Sequence, residues 1–264
     1  MDVARDSHDE EERRETERHD RLYRDQRPAD LTMRPDDWER FEGMTEPLDA
    51  YGASVIALGD LRGRRVLDMG YGDGWLSVIL AKRGGTVWGY DISASAIATA
   101  HERASLNAVS EQTRFDVASA YQTPYPDAQF DIVIGQAILH HLGDKDRLAK
   151  ELKRVMRPGA KAVFSEPFAA VPWLKRVRKM VPVPSQAPDD PDQQQMTYAD
   201  FEPFRRYFIV ELEEYQLLSR LDRVLKSSRI VDWLGRADRA LLRNLPFLRK
   251  YARSVVATLR LESP

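Results

Sequence analysis

The chain of 264 residues contains no cysteine, which excludes disulfides and thiolate metal sites; no metal ion is expected. No apolar run reaches the ~18 residues that a membrane span requires. The first residues, MDVARDSHDEE, are acidic and polar where a secretory leader would be apolar. A soluble, cytoplasmic protein is the expectation. Neither sign of charge dominates, because 40 Lys and Arg stand against 42 Asp and Glu, so the balance demands no nucleic acid. No RNA-binding module is visible, and no nucleic-acid partner is expected. Charged residues make up 31% and mean hydropathy is -0.53, yet the apolar residues cluster mid-chain as a globular core requires.

That middle is organised around residues 66–91, VLDMGYGDGWLSVILAKRGGTVWGYD. A short apolar run ends at Leu67. Asp68 to Gly74 forms a glycine-rich turn, and Trp75 to Lys82 carries apolar residues at helical spacing before Gly84-Gly85. Thr86 to Tyr90 predicts a second strand with Asp91 at its tip. Glycines let backbone approach a ligand closely, the helix start offers free N–H groups, and an acid at the second strand tip suits the hydroxyls of a ribose. A nicotinamide site would show G-x-G-x-x-G, but its third position here is Trp75, and the chain reads G-x-G-x-G after Asp68. An NAD-dependent reductase is the weaker enzyme alternative.

Residues 1–18 have almost no apolar side chains and are expected to be a disordered acidic tail. From 19 to 60, Pro28, Pro35 and Pro47 cut the chain into short pieces, followed by an amphipathic helix from Leu48 to Leu58. After Asp91 a helix capped by Ser93 or Ser95 is predicted, then a third strand around Arg114–Ala118. Phe130–Gly135 is a nearly all-apolar fourth strand, as a buried parallel strand should be. Leu148–Met156 reads as a helix ended by Arg157-Pro158-Gly159, and Lys161–Ser165 as a fifth strand closed by Glu166. Thr197 and Asp200 predict a capped turn, 208–218 a sixth strand, 221–245 a basic helical insertion, and 254–261 a last strand. Strands alternating with helices predict an α/β, doubly wound, mostly parallel sheet.

The turn resembles motif I of the class I S-adenosylmethionine (SAM)-dependent methyltransferases. Further ordered motifs extend that likeness over about 48–166. Asp116 matches an acid after strand three, Pro126–Asp131 a run entering strand four, Leu139-His140-His141-Leu142 an L-H-H run after it, and Glu151–Ala160 the E-x-x-R-V-L-K-P-G-G stretch. The chain is most similar to the broad UbiE-like, type 11 small-molecule group. The resemblance implies a Rossmann-like methyltransferase fold with seven strands, the last antiparallel between strands five and six. It also implies an N-terminal helical lid (19–60), a cofactor core (61–166) and substrate-side loops with a helical insertion before the last strand (167–264), all in one domain.

By the same resemblance, Gly70, Gly72 and Gly74 would run beneath the cofactor's methionine portion and ribose, with Asp68 ordering the loop near its amino-acid end. Asp91 would accept the ribose hydroxyls and Ile92 would lie beside the adenine. Asp116 would accept from the adenine amino group, with Val117 and Ala118 beside the ring. Gly135 and Gln136 would sit near the transferring methyl. Tyr23, Trp38, Phe41 and Trp173 are candidates to line an acceptor pocket, although each aromatic can equally be packing. His140 or His141 is a candidate base, because imidazole accepts a proton near neutral pH, with Glu166 as a further polar contact. The expected activity is methyl transfer to a small molecule, with O-methylation favoured over N or C and a natural-product or lipid-like acceptor. The alternative is a catalytically silent scaffold of the same fold. The basic insertion allows weak association with an anionic surface.

Overall fold

The computed structural model describes residues 16–17, 20, 28–39, 41, 47, 49–171, 195–218 and 228–263. Most of the expected acidic tail, as well as Tyr23 and Trp173, lies outside the described residues.

Seven strands form one sheet in the order β3-β2-β1-β4-β5-β7-β6. They are β1 (Arg65–Met69), β2 (Thr86–Asp91), β3 (Thr113–Val117), β4 (Phe130–Gln136), β5 (Met156–Pro167), β6 (Ile209–Tyr215) and β7 (Ser254–Arg260). β1 to β5 pair in parallel, and β7 runs antiparallel between β5 and β6, as expected. In register, Met69 lies beside Tyr90 and Gly135, and Gln136 beside Ser165, so the carboxyl ends of four parallel strands share one edge. Ligands bind outside that edge in doubly wound sheets.

The described helices are α1 (Pro28–Leu31), α2 (Asp36–Glu39), α3 (Ala50–Ala57), α4 (Trp75–Lys82), α5 (Ala94–Leu106), α6 (Lys145–Val155) and α7 (Ser228–Asn244). α3, α4 and α5 bury apolar faces against one side of the sheet, with Val55, Val78, Ile79 and Ala100 meeting Val66, Ile132 and Ile134. α6 covers the other side through Leu148, Leu152 and Val155, against Val133, Phe130 and Phe164. α6 starts three residues before the apolar pattern suggested, because Asp144 caps it by accepting the Arg147 N–H at 3.0 Å. β5 starts at Met156 rather than Lys161, since Met156 already pairs with Phe130 before the register shifts. Thr197 and Asp200 form the expected reciprocal cap. Among the described residues, no helix is long and apolar enough to cross a membrane.

Two polar clusters fasten the loops. Glu151 accepts from Thr123 N and Oγ1 at 2.8 and 2.7 Å, while Arg154 pairs with Glu151 and donates to Tyr125 O at 2.7 Å and Asp127 Oδ1 at 2.8 Å. The E-x-x-R stretch therefore staples the loop entering β4. On α5, buried Arg103 donates to Asp73 O at 2.9 Å, Asp73 Oδ2 at 2.6 Å and Leu31 O at 3.2 Å. Asn107, one turn on, donates to Leu31 O at 2.9 Å and accepts the Met33 N–H at 2.8 Å. One helix face thus holds both the glycine turn and the segment after α1.

Arg154→Ala should leave the Tyr125 and Thr123 carbonyls without their donor and lower unfolding free energy by about 1–2 kcal/mol, discounted for the partly exposed guanidinium. Chemical denaturation of the two proteins checks this; an unchanged midpoint would mean that the staple is ornamental.

Candidate active site

The site grows from the turn after β1. Gly70 has φ +63°, and a Cβ there would lie 2.6 Å from Ile138 Cδ1. A Cβ on Gly135 would lie 2.7 Å from Ile138 Cγ2. One side chain therefore sets two of the glycines, because Ile138 wedges against the tips of β1 and β4. Gly74 is at φ +75° at the start of α4, where a Cβ would meet Ala100 Cβ at 2.7 Å, so α4 and α5 touch through it. These contacts are far inside ordinary packing distance.

Asp91, buried at the tip of β2, accepts the Gly72 N–H on Oδ2 at 3.1 Å and the Ser93 N–H on Oδ1 at 3.0 Å. It clasps the glycine turn to the start of α5. Asp68 is buried under the same turn and accepts from Ser77 Oγ at 2.6 Å. Burial pushes its pKa up to about 7; the Ser77 hydroxyl opposes this, and the charges of Asp91 and Asp73 add to it. Asp20 reaches the same corner, its Oδ1 accepting from Ser95 Oγ at 2.8 Å.

Asp91 pairs in register with Val117, and Tyr90 with Asp116. Neighbours in register face the same side of a parallel sheet, and successive residues alternate. Val117, 59% exposed, therefore stands on the side of Asp91, whereas Asp116 points to the opposite face. There the Asp116 carboxylate accepts from Tyr125 Oη at 3.1 Å. One residue of strand phase thus separates the Asp116 side chain from that of Asp91. Ile92 is half-buried beside Asp91, and the Ala118 N–H donates to Asp91 O at 3.0 Å.

Beyond β4 the Gln136 side chain is held by Ser54 Oγ of α3, and Ala137 turns the chain at φ 53°. A non-glycine residue there is uncommon and marks a constrained turn. The constraint is Glu166, whose side chain is fully buried at the end of β5. Its carboxylate accepts the N–H of Ile138 at 2.9 Å, Leu139 at 2.8 Å and His140 at 3.4 Å, and lies 2.8 Å from His140 Nδ1. Those oxygens already accept backbone N–H groups, so Nδ1 is assigned as the donor, which leaves Nε2 as the accepting nitrogen of the neutral ring. The His140 side chain is 7% exposed, and its ring centroid lies 4.0 Å from that of His141. Of the two histidines, His140 is the one joined to Glu166.

The aromatic candidates divide. Phe41 is buried against Tyr51, which in turn packs on Trp75 at the start of α4, so it backs the glycine turn. Trp38 is half-buried with Lys82 Nζ 5.2 Å above its ring. Lys82 is the last residue of α4, so Trp38 meets that helix through the side chain of its last turn. A cleft of about 440 Å³ between α3, β6 and α7 contains none of the candidate residues; Ala53, Ile56, Glu213, Tyr215 and Arg239 help line it. The convergence of buried polar groups, rather than that volume, identifies the site. Ile138, Arg103 and Tyr125 were missed in the sequence. Arg103 and Asn107 stand four apart on the buried stripe of α5, which was the available signal; Ile138 gave none.

The family model for the methyltransferase domain matches residues 67–164. The 27-O-demethylrifamycin SV methyltransferase of Amycolatopsis mediterranei is 35% identical over 111 residues, 42% of this chain and 40% of that protein. A ubiquinone biosynthesis O-methyltransferase of Pseudomonas fluorescens is 35% identical over 106 residues, 40% of this chain and 45% of that protein. The chain therefore spans less than half the length of these curated relatives. A SAM-dependent methyltransferase from Aquifex aeolicus superposes with a TM-score of 0.55 at 16% identity, covering 89% of this chain and 99% of that one, which speaks for the fold alone.

Residues 67–164 carry a methyltransferase domain.

The matched stretch of the methyltransferase domain holds the glycine turn, Asp91 and His140, and stops two residues before Glu166. The segments around its open edge, before residue 60 and after 195, fall outside it.

Asp68 gives a pH signature. Its carboxyl binds a proton more tightly folded than unfolded, between its ordinary 3.8 and about 7. Stability should therefore fall as pH rises through that window and level off above it. Asp68→Asn keeps an acceptor for Ser77 and removes the titration. Thermal unfolding at about pH 5 and about pH 8 should show a steeper loss for the wild type than for the variant; equal slopes would contradict a buried, titrating Asp68.

Proposed function

We propose that the protein binds SAM across the carboxyl edge of β1, β2 and β4 and transfers its methyl group to a hydroxyl of a small molecule. The observation that carries this reading is the His140–Glu166 pair, held beside the glycine turn by Ile138. The residues present suit the cofactor. The Asp91 carboxylate lies at the strand tip where ribose hydroxyls would donate, with the half-buried Ile92 and the exposed Val117 as apolar surface for a purine. The buried carboxyl of Asp68 favours a cationic amino-acid end, and a positive charge arriving there would draw off its proton. When bound, SAM supplies an electrophilic methyl on a sulfonium with a neutral leaving group.

The chain's own part is alignment and proton removal. Glu166 fixes the His140 ring by accepting from Nδ1, which leaves Nε2 to take the proton of an acceptor hydroxyl as oxygen attacks. Orientation supplies much of the remaining acceleration. An amine acceptor would arrive as its own nucleophile and would need no such pair, so a buried Glu–His pair favours oxygen. Relatives named as O-methyltransferases agree with this choice.

His140→Ala should lower kcat by about 10²–10⁴ while S-adenosylhomocysteine binding stays near wild type. Glu166→Gln should cost a similar or smaller factor, because the ring loses its fixed orientation. Turnover on a panel of phenolic and aliphatic alcohol acceptors measures this. Full turnover by His140→Ala would remove the base from the mechanism.

A further inference from the structure

We infer that the outer face of α7, together with the turn that follows it, docks on an anionic lipid surface. Nine large apolar side chains are strongly exposed among the described residues, and four of them, Ile230, Trp233, Leu245 and Phe247, fall in this one segment. Trp233 is 63% and Phe247 64% exposed. At 3.6 residues per turn, Arg236, Ala240, Trp233, Asn244 and Ile230 occupy a single arc about 120° wide, and every one of them is exposed; the exposed Arg243 stands at its rim, where it also lines the cleft behind the helix. The opposite arc carries Leu234, Asp238 and Leu242, all buried. Asp238 faces inward and accepts the N–H groups of Leu217 and Leu218 at 2.9 and 2.6 Å, which fastens α7 behind β6.

The helix is therefore held by its inner face and leaves Trp233 and Ile230 outward beside Arg236, with Phe247 exposed in the turn that follows. Charge selects the occupant. Residues 228–251 hold six Arg and Lys against two Asp, one of them the buried Asp238, in a chain whose net charge is -2. A second copy docked through the same face would bring two arginine-bearing patches of like charge together, which repel. A lipid boundary accepts both parts at once: Trp and Phe sit at headgroup depth while arginines meet anionic headgroups. None of these residues is among those placed at the cofactor site, so the test is read without methyl transfer.

Sedimentation of the full chain with phosphatidylcholine vesicles, with and without roughly 30% phosphatidylglycerol, tests it. Binding is expected to the anionic vesicles only, and to be lost at about 0.5 M salt. Trp233→Ala with Phe247→Ala, and separately Arg236→Glu with Arg243→Glu, should each weaken binding by about tenfold or more, with unchanged thermal unfolding as the check that α7 is still folded. No binding to anionic vesicles, or wild-type binding by both double variants, would overturn the inference. So would a lipid-free dimer that the aromatic double variant dissolves, or RNA binding in place of vesicle binding.

Discussion

A carboxylate buried at a strand end must be matched by donors, because an unpaired buried charge is very costly. Glu166 finds its partners in one short turn: the N–H groups of Ile138, Leu139 and His140, and the His140 ring. Much of the site follows from that requirement. The turn must leave β4 sharply, which Ala137 does at positive φ. Its leading side chain, Ile138, must then lie over the tips of β1 and β4, where only glycine leaves room. The glycine turn and the candidate base are therefore placed by the same packing, although they are some seventy residues apart.

α5 provides the second constraint. Its first turn meets the Asp91 clasp through Ser93, its middle touches Gly74 through Ala100, and its last turns hold Asp73, Leu31 and Met33 through Arg103 and Asn107. A single rigid element thus references the glycine turn, the acidic strand tip and the N-terminal segment to one another.

The sheet was legible because its parallel strands are apolar runs separated by helical periodicity, and because glycine and acidic residues punctuate the first turn. Asp91 was legible for the same reason. The face that the Asp116 side chain takes was not legible, because strand phase needs the register that only pairing supplies. The separation of His140 from His141 was illegible: both have the same chemistry, and only the position of Glu166 distinguishes them. Ile138 is an ordinary apolar residue in sequence, and its importance comes from the two glycines that it displaces.

The central claim is that a sulfonium nucleoside lies on the Asp91 side of the sheet, over the glycine turn. Isothermal titration calorimetry with S-adenosylhomocysteine, comparing the wild type with Asp91→Ala, tests it most directly. Saturable one-to-one binding by the wild type is predicted, weakened by about tenfold or more when the carboxylate that would receive the ribose hydroxyls is gone. No heat from the wild type, or equal affinity in a folded variant, would contradict it.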